Sequence, residues 1–255
     1  MGVGAISMGD QSSHWRRYEE LRPDELSDMV RQTPFAYWPL GLLEHHGWHL
    51  PVGFDGIKAA RICERIAQQT GGVILPTMWW GGSGGHGDFL WTFYQSEQAA
   101  RDIVINTVQR MILCGFRRIV LLMGHYPWEA IAGKQLDDLQ RDHPDVLILW
   151  GTEASIGRPE LLLPGDHAAR EETSYGLALL PEFVDLAALT PGRDMTAWPN
   201  QTAVPDFERY RGVNYDPADP LFAQMGEDAR TATTQRGEDA IAALVEHIAR
   251  RVLSG

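Results

Sequence analysis

The chain has 255 residues, of which 44% are hydrophobic, enough to bury the core of one large α/β domain. Its 34 acidic against 22 basic residues leave a formal charge of -12, which repels phosphate backbones and anionic lipid headgroups and so argues against nucleic acid and membrane partners. No apolar run approaches the ~18 residues of a membrane span, and Met1 to Asp10 lacks the basic start and apolar centre of a secretory signal, so a cytoplasmic protein is expected.

Residues 1–14 are small and polar and are expected to be flexible, with a single domain over 15–255. Arg22-Pro23-Asp24-Glu25-Leu26 reads as a helix start with proline in the first turn. The apolar run Phe35 to Leu43 predicts a strand. Ile57, Ala60, Cys63, Ile66 and Ala67 then recur at helical spacing until Gly71-Gly72 stops the helix, and Val73 to Leu75 is a second strand. Ser96 caps a long helix with the apolar stripe Ile103, Val104, Val108, Met111 and Ile112, ending at Gly115. Ile119 to Met123 is a buried strand, Glu129 to Arg141 a helix, and Val146 to Trp150 the next strand. This alternation implies βαβ units and a mostly parallel sheet covered on both faces. Residues 190–225 are rich in proline, aspartate and aromatics without periodicity, an irregular excursion placed to cover a site or an oligomer contact. A helix over Arg236 to Leu253 closes the chain.

The chemistry concentrates right after the first predicted strand, in Glu44-His45-His46-Gly47-Trp48-His49-Leu50-Pro51-Val52-Gly53-Phe54-Asp55. In an extended chain positions i and i+2 share a face, so Glu44 and His46 can point at one centre while His45 points away, and Asp55 closes the loop. Imidazole with carboxylate, and no cysteine nearby, suits zinc, manganese or iron in a hydrolytic site. Cys63 and Cys114 lie within helical patterns and read as small core hydrophobes. His125, delivered by a buried strand, and His167 are further candidates, whereas Glu171 and Glu172 read equally well as solvated acids of a helix's first turn. Gly81-Gly82-Ser83-Gly84-Gly85 fits the glycine-x-serine-x-glycine pattern of a serine hydrolase, but His86-Gly87-Asp88-Phe89 starts no helix after it.

The order Glu-x-His, Asp, Gly-His-Tyr and His-x-x-x-x-Glu-Thr-Ser resembles the creatininase family, over roughly residues 35–240. Glu44-His45-His46-Gly47-Trp48-His49-Leu50-Pro51, with Asp55 as the bridging aspartate, carries the most specific part of the match. The resemblance implies a three-layer α/β/α fold, a homo-oligomer that is often a hexamer, and two divalent ions, commonly zinc or manganese with iron also conceivable. By position it makes Glu44, His46, Asp55, His125 and Glu172 metal ligands, His167 the catalytic histidine, and His86 a residue near the substrate. The chain departs from the family at Met123-Gly124-His125-Tyr126-Pro127-Trp128, where Pro127 replaces the glutamate of creatininase itself, which argues against creatinine as substrate. Tyr126, Trp128 and Trp80 are expected instead to wall a flat, ring-shaped substrate.

The leading reading is therefore a metal-dependent hydrolase that opens a cyclic amide or related ring by attack of a metal-bridging hydroxide, with His167 passing a proton to the leaving group. One alternative is hydrolytic cleavage of a carbon-carbon bond in a cyclic diketone of the oxidised inositol type. Another is a metal-bound protein that binds a ligand without turnover.

Overall fold

The computed structural model describes residues 14–156 and 163–254. The segment read as flexible lies outside them except for His14, which contacts the Gln68 carbonyl through its Nε2. Five strands, β1 (Trp15–Arg17), β2 (Phe35–Leu40), β3 (Gly72–Ile74), β4 (Arg118–Met123) and β5 (Leu147–Gly151), form one sheet in the order β1-β3-β2-β4-β5. Every pairing is parallel. Six helices, α1 (Pro23–Gln32), α2 (Phe54–Thr70), α3 (Glu97–Leu113), α4 (Trp128–Asp142), α5 (Arg170–Leu179) and α6 (Thr234–Leu253), cover its two faces.

Because side chains alternate along a strand, each central strand feeds both layers. Tyr37, Val120 and Leu122 enter a core closed by α2, α5 and α6. Their neighbours Ala36, Trp38, Leu40, Ile119, Leu121 and Met123 enter a second core under α3 and α4. The three-layer α/β/α arrangement expected from the alternation is what the chain adopts. Ser96 caps α3 through its hydroxyl, and α2 stops at Gly71 (φ +75°) and Gly72 (φ +107°), as their sequence positions predict. Cys63 is buried in the core, but Cys114 is exposed, because the cap position after α3 turns it out of the apolar stripe.

Two features place the functional loops. The chain passes from β2 through α2 to β3 on one side of the sheet, then through α3 to β4 on the other side of β2. The carboxyl ends of β2 and β4 are thus a topological switch point, where an open α/β sheet leaves a crevice. The expected first strand also ends sooner than its apolar run, at Leu40 rather than Leu43. Gly41 must pass within van der Waals reach of α2: a Cβ on Gly41 would lie 2.3 Å from the Gly56 Cα, and a Cβ on Gly124 would lie 2.1 Å from the Asp55 carbonyl oxygen. The first turn of α2 therefore rests directly on the backbone at the ends of β2 and β4.

The excursion over 190–225 contains short 3-10 turns at Met195–Ala197 and Asp206–Glu208, and its Trp198, Tyr215 and Phe222 form a third aromatic core with Phe89 from the loop before α3. It rejoins the domain through an antiparallel bridge between His167 and Met225, whose two backbone hydrogen bonds are each 2.9 Å. No helix among the described residues is long and apolar enough to cross a membrane.

Replacing Gly124 by alanine should force the first turn of α2 off the strand ends. We expect a loss of about 2 kcal/mol or more in unfolding free energy, within or above the usual cost of overpacking, measured by chemical denaturation of the metal-free protein.

Candidate metal centre

Three carboxylates and four imidazoles converge at the switch point, all buried. Glu44 stands beyond β2 in a loop closed by its own N–H on the Val52 carbonyl (2.8 Å). Asp55 is in the first turn of α2, His125 follows β4, and Glu172 is in the first turn of α5. Glu171 and Glu172 are not solvated first-turn acids. The Asp166 carboxylate accepts both of their backbone N–H groups (2.7 and 3.0 Å), and Glu172 points into the centre.

Each imidazole is aimed by the same device, in which one ring nitrogen donates to a backbone carbonyl and the other is left facing the carboxylates. His46 Nδ1 donates to the Glu44 carbonyl (3.0 Å), so its Nε2 meets Asp55 Oδ1 at 3.0 Å and Glu172 Oε2 at 3.6 Å. His125 Nε2 donates to the Ser83 carbonyl (3.1 Å), which turns its Nδ1 to Glu44 Oε2 at 3.1 Å and Asp55 Oδ2 at 3.3 Å. His167 Nε2 donates to the His45 carbonyl (2.8 Å) and His86 Nε2 to the Ala223 carbonyl (2.8 Å), leaving their Nδ1 atoms 3.9 and 3.7 Å from the Glu44 carboxylate. The rings of His86 and His167 stack at 3.7 Å.

Two ligand sets that share only Asp55 emerge from this geometry: Glu44, Asp55 and His125, and His46, Asp55 and Glu172. A third grouping, Glu44, His46 and His167, places His167 close enough to act as a ligand as well as a proton carrier. The donor set fits divalent cations of the zinc or manganese type. Among the described residues, Glu44 Oε2 and Asp55 Oδ2 are buried without a hydrogen-bond partner, a costly state for carboxylate oxygens that a cation would relieve. In the metal-free protein protons take that part. Burial opposes a charge on His46, but the Asp55 carboxylate outweighs it and lifts the imidazole to about 9. Burial likewise opposes a charge on His125, which Glu44 nevertheless raises well above the ordinary histidine value. Burial, reinforced by neighbouring imidazoles, holds His86 and His167 well below it, so both are neutral acceptors.

Beside the carboxylates lies a cleft of about 110 Å³ lined by Glu44, His86, His125, Tyr126, Pro127 and His167, with Tyr210 and Met225 from the excursion on its rim. His86 and Tyr126 line this cleft. Trp128 and Trp80 do not. Trp128 is fully buried beneath the site and donates its indole N–H to the Gly41 carbonyl (3.0 Å), so it supports the strand end rather than the cleft wall. Trp80 is half exposed and borders a different surface hollow, with Gln95 and Ile103. Ser83 offers His125 its carbonyl, and the next helix begins only at Glu97, so no strand-turn-helix elbow presents its hydroxyl. His45 points away from the centre as the strand alternation predicts, into Trp48, Phe89 and Phe222.

The sequence reading did not single out Tyr94, whose hydroxyl donates to Glu44 Oε1 (2.9 Å), or the buried pair Lys58 and Glu153. Lys58 did leave a signal, as a lone cation between Ile57 and Ala59 on the apolar side of α2.

An all-parallel α/β/α sheet with carboxylates and imidazoles gathered at its switch point is the architecture of a metal-dependent hydrolase. The sequence profile of the creatininase family, described as creatinine amidohydrolase, matches residues 19–252. The chain belongs to the creatininase family and is a hydrolase of the amidohydrolase kind. It is 26% identical over 232 residues to the creatinine amidohydrolase of Pseudomonas putida, covering 83% of this chain and 85% of that one. It is 30% identical over 257 residues to the mycofactocin precursor peptide peptidase of Mycobacterium ulcerans (strain Agy99), covering 94% of each. A solved structure of creatininase with manganese superposes with a TM-score of 0.70 at 25% identity, covering 93% of this chain and 97% of that one.

Buried histidines outside the ligand sets contribute to the response to acid. Burial, with the charge on His46, pushes His45 and His49 down to about 4 from the ordinary 6.5. Below 6.5 the unfolded chain takes up protons that the folded chain refuses, so stability present above that pH is lost as pH falls toward 4, by up to about 3 kcal/mol per residue. His45→Phe, which suits the aromatic surroundings, should flatten this acid limb in pH-dependent thermal unfolding and leave bound metal unchanged.

Proposed function

We propose that the chain hydrolyses the carbon-nitrogen bond of a compact cyclic amide with two divalent ions of zinc or manganese. The observation that carries this reading is the division of the Asp55 carboxylate, with Oδ1 toward His46 and Oδ2 toward His125. Glu44 and His125 would hold one ion with Asp55, and His46 and Glu172 the other. Two such ions polarise a carbonyl and make a water acidic enough to attack it near neutral pH.

The chain's own groups do the rest. His167, neutral and tied at Nε2 to the His45 carbonyl, presents Nδ1 to take the proton lost by the attacking water and hand it to the leaving nitrogen. Tyr126 donates its hydroxyl hydrogen to Glu153 (2.9 Å), so its oxygen, like His86 Nδ1, can only accept from the substrate's N–H groups. Pro127 removes a carboxylate from this wall and with it the group that would favour creatinine.

A second reading is a peptide substrate, because the peptidase relative aligns over nearly the whole of both chains. The relative named 3-dehydro-scyllo-inosose hydrolase covers only 66% of this chain and keeps cyclic ketones in the comparison. A screen of lactams, cyclic ureides, short peptides and cyclic polyol ketones in labelled water decides among them. Turnover of lactams or ureides supports the proposal, and exclusive turnover of peptides or ketones overturns it.

Asp55→Ala should lose both ions by elemental analysis, since both ligand sets depend on it. His167→Ala should keep both and lower turnover by about 10²- to 10⁴-fold, the range for a general acid or base. Loss of an ion in that variant would make His167 a ligand instead.

A further inference from the structure

Lys58 lies one helical turn beyond Asp55 and is fully buried. Its ammonium donates to Glu153 Oε1 at 2.5 Å and to Glu172 Oε1 at 2.9 Å, and it sits 5.1 and 5.2 Å from the ring centres of Phe54 and Tyr126. Glu172 is therefore held at both ends. Oε1 is taken by Lys58, while Oε2 accepts the Ala168 N–H (2.8 Å) and faces His46. Glu153 Oε1 also accepts the Tyr126 hydroxyl, so the same ammonium is linked to the cleft wall through one carboxylate.

We infer that Lys58 is a positioning residue for the second ion, fixing Glu172 so that it offers that ion Oε2 alone, and that Glu153 extends the same bracket to Tyr126. This rests on the two-ion reading above. A lysine present only to neutralise a buried acid needs one carboxylate, and Glu153 would serve. The second bond, to Glu172, is what ties it to the centre. Without Lys58 the Glu172 carboxylate keeps only the Ala168 N–H on Oε2 and can pivot about that one bond, so that Oε1 is no longer withheld from the ion. Groups that orient ligands from behind in this way change metal affinity by about 10- to 100-fold when removed.

The test compares wild type, Lys58→Met and Lys58→Met/Glu153→Met, reading zinc affinities by competition with a chromophoric chelator and unfolding of the metal-free proteins in excess chelator. Lys58→Met alone leaves two buried carboxylates unpaired and should be unstable, whereas the double variant removes the acid that Lys58 neutralises and should recover most of that stability. The inference expects the double variant to bind one zinc within about threefold of wild type and the other about 10- to 100-fold more weakly. Two wild-type affinities in the double variant, or equal weakening of both, would overturn it and leave Lys58 as a partner for Glu153 alone. A wild-type protein that binds no zinc would instead overturn the two-ion reading, and the inference with it.

Discussion

The centre depends on a backbone contact before it depends on any ligand. Gly41 and Gly124 have no side chains, so the first turn of α2 settles directly on the ends of β2 and β4. That approach carries Asp55 between Glu44 on one strand end and His125 on the other. It also sets the direction of α2, which puts Lys58 one turn deeper beneath the same carboxylates. Any Cβ at Gly124 would meet the Asp55 carbonyl itself, so the place of Asp55 between the two strand ends is fixed by main chain, which cannot adjust as a side chain can.

On that platform the imidazoles are ordered by main-chain carbonyls. His46, His86, His125 and His167 each surrender one nitrogen to a main-chain carbonyl, two of them to the adjacent carbonyls of Glu44 and His45 and the others to those of Ala223 and Ser83, and in each the remaining nitrogen faces carboxylate. Neutral His86 and His167 and charged His46 and His125 occupy neighbouring positions because the latter touch Asp55 or Glu44 within 3.3 Å while the former stand further off. A difference of less than 1 Å in approach thus goes with opposite shifts among the histidines of one cluster.

Much of this could be read from the chain. Apolar runs and helical stripes located β2, β4, β5 and the helices between them, since buried parallel strands are continuous in hydrophobicity. The alternation at Glu44, His45 and His46 was legible even though β2 ends at Leu40, since Glu44 and His46 do face the cluster while His45 packs on Trp48, Phe89 and Phe222. What stayed hidden depended on contacts far apart in sequence. β1 is three residues long and has no period to detect. Trp80 and Trp128 are close to the ligands along the chain, yet one faces a surface hollow and the other lies under the strand end, which no local pattern distinguishes. Lys58 and Glu153 are 95 residues apart, and only the fold makes them a pair.

The excursion over 190–225 is joined to the rest of the domain at several points, among them the His167–Met225 bridge, the His86 bond to the Ala223 carbonyl, the Tyr215 hydroxyl on the Gly85 carbonyl and the Trp48 ring stacked on Phe222. Its aromatic core takes in Phe89, which also meets the rings of His45 and His86, so the excursion packs directly on the loops that carry the cluster. Tyr210 and Met225, which shape the mouth of the cleft, nevertheless belong to a different stretch of chain from Glu44, Asp55, His125 and Glu172. A substitution in the excursion can therefore reshape the mouth of the cleft without replacing any residue of the carboxylate and histidine sets beneath it.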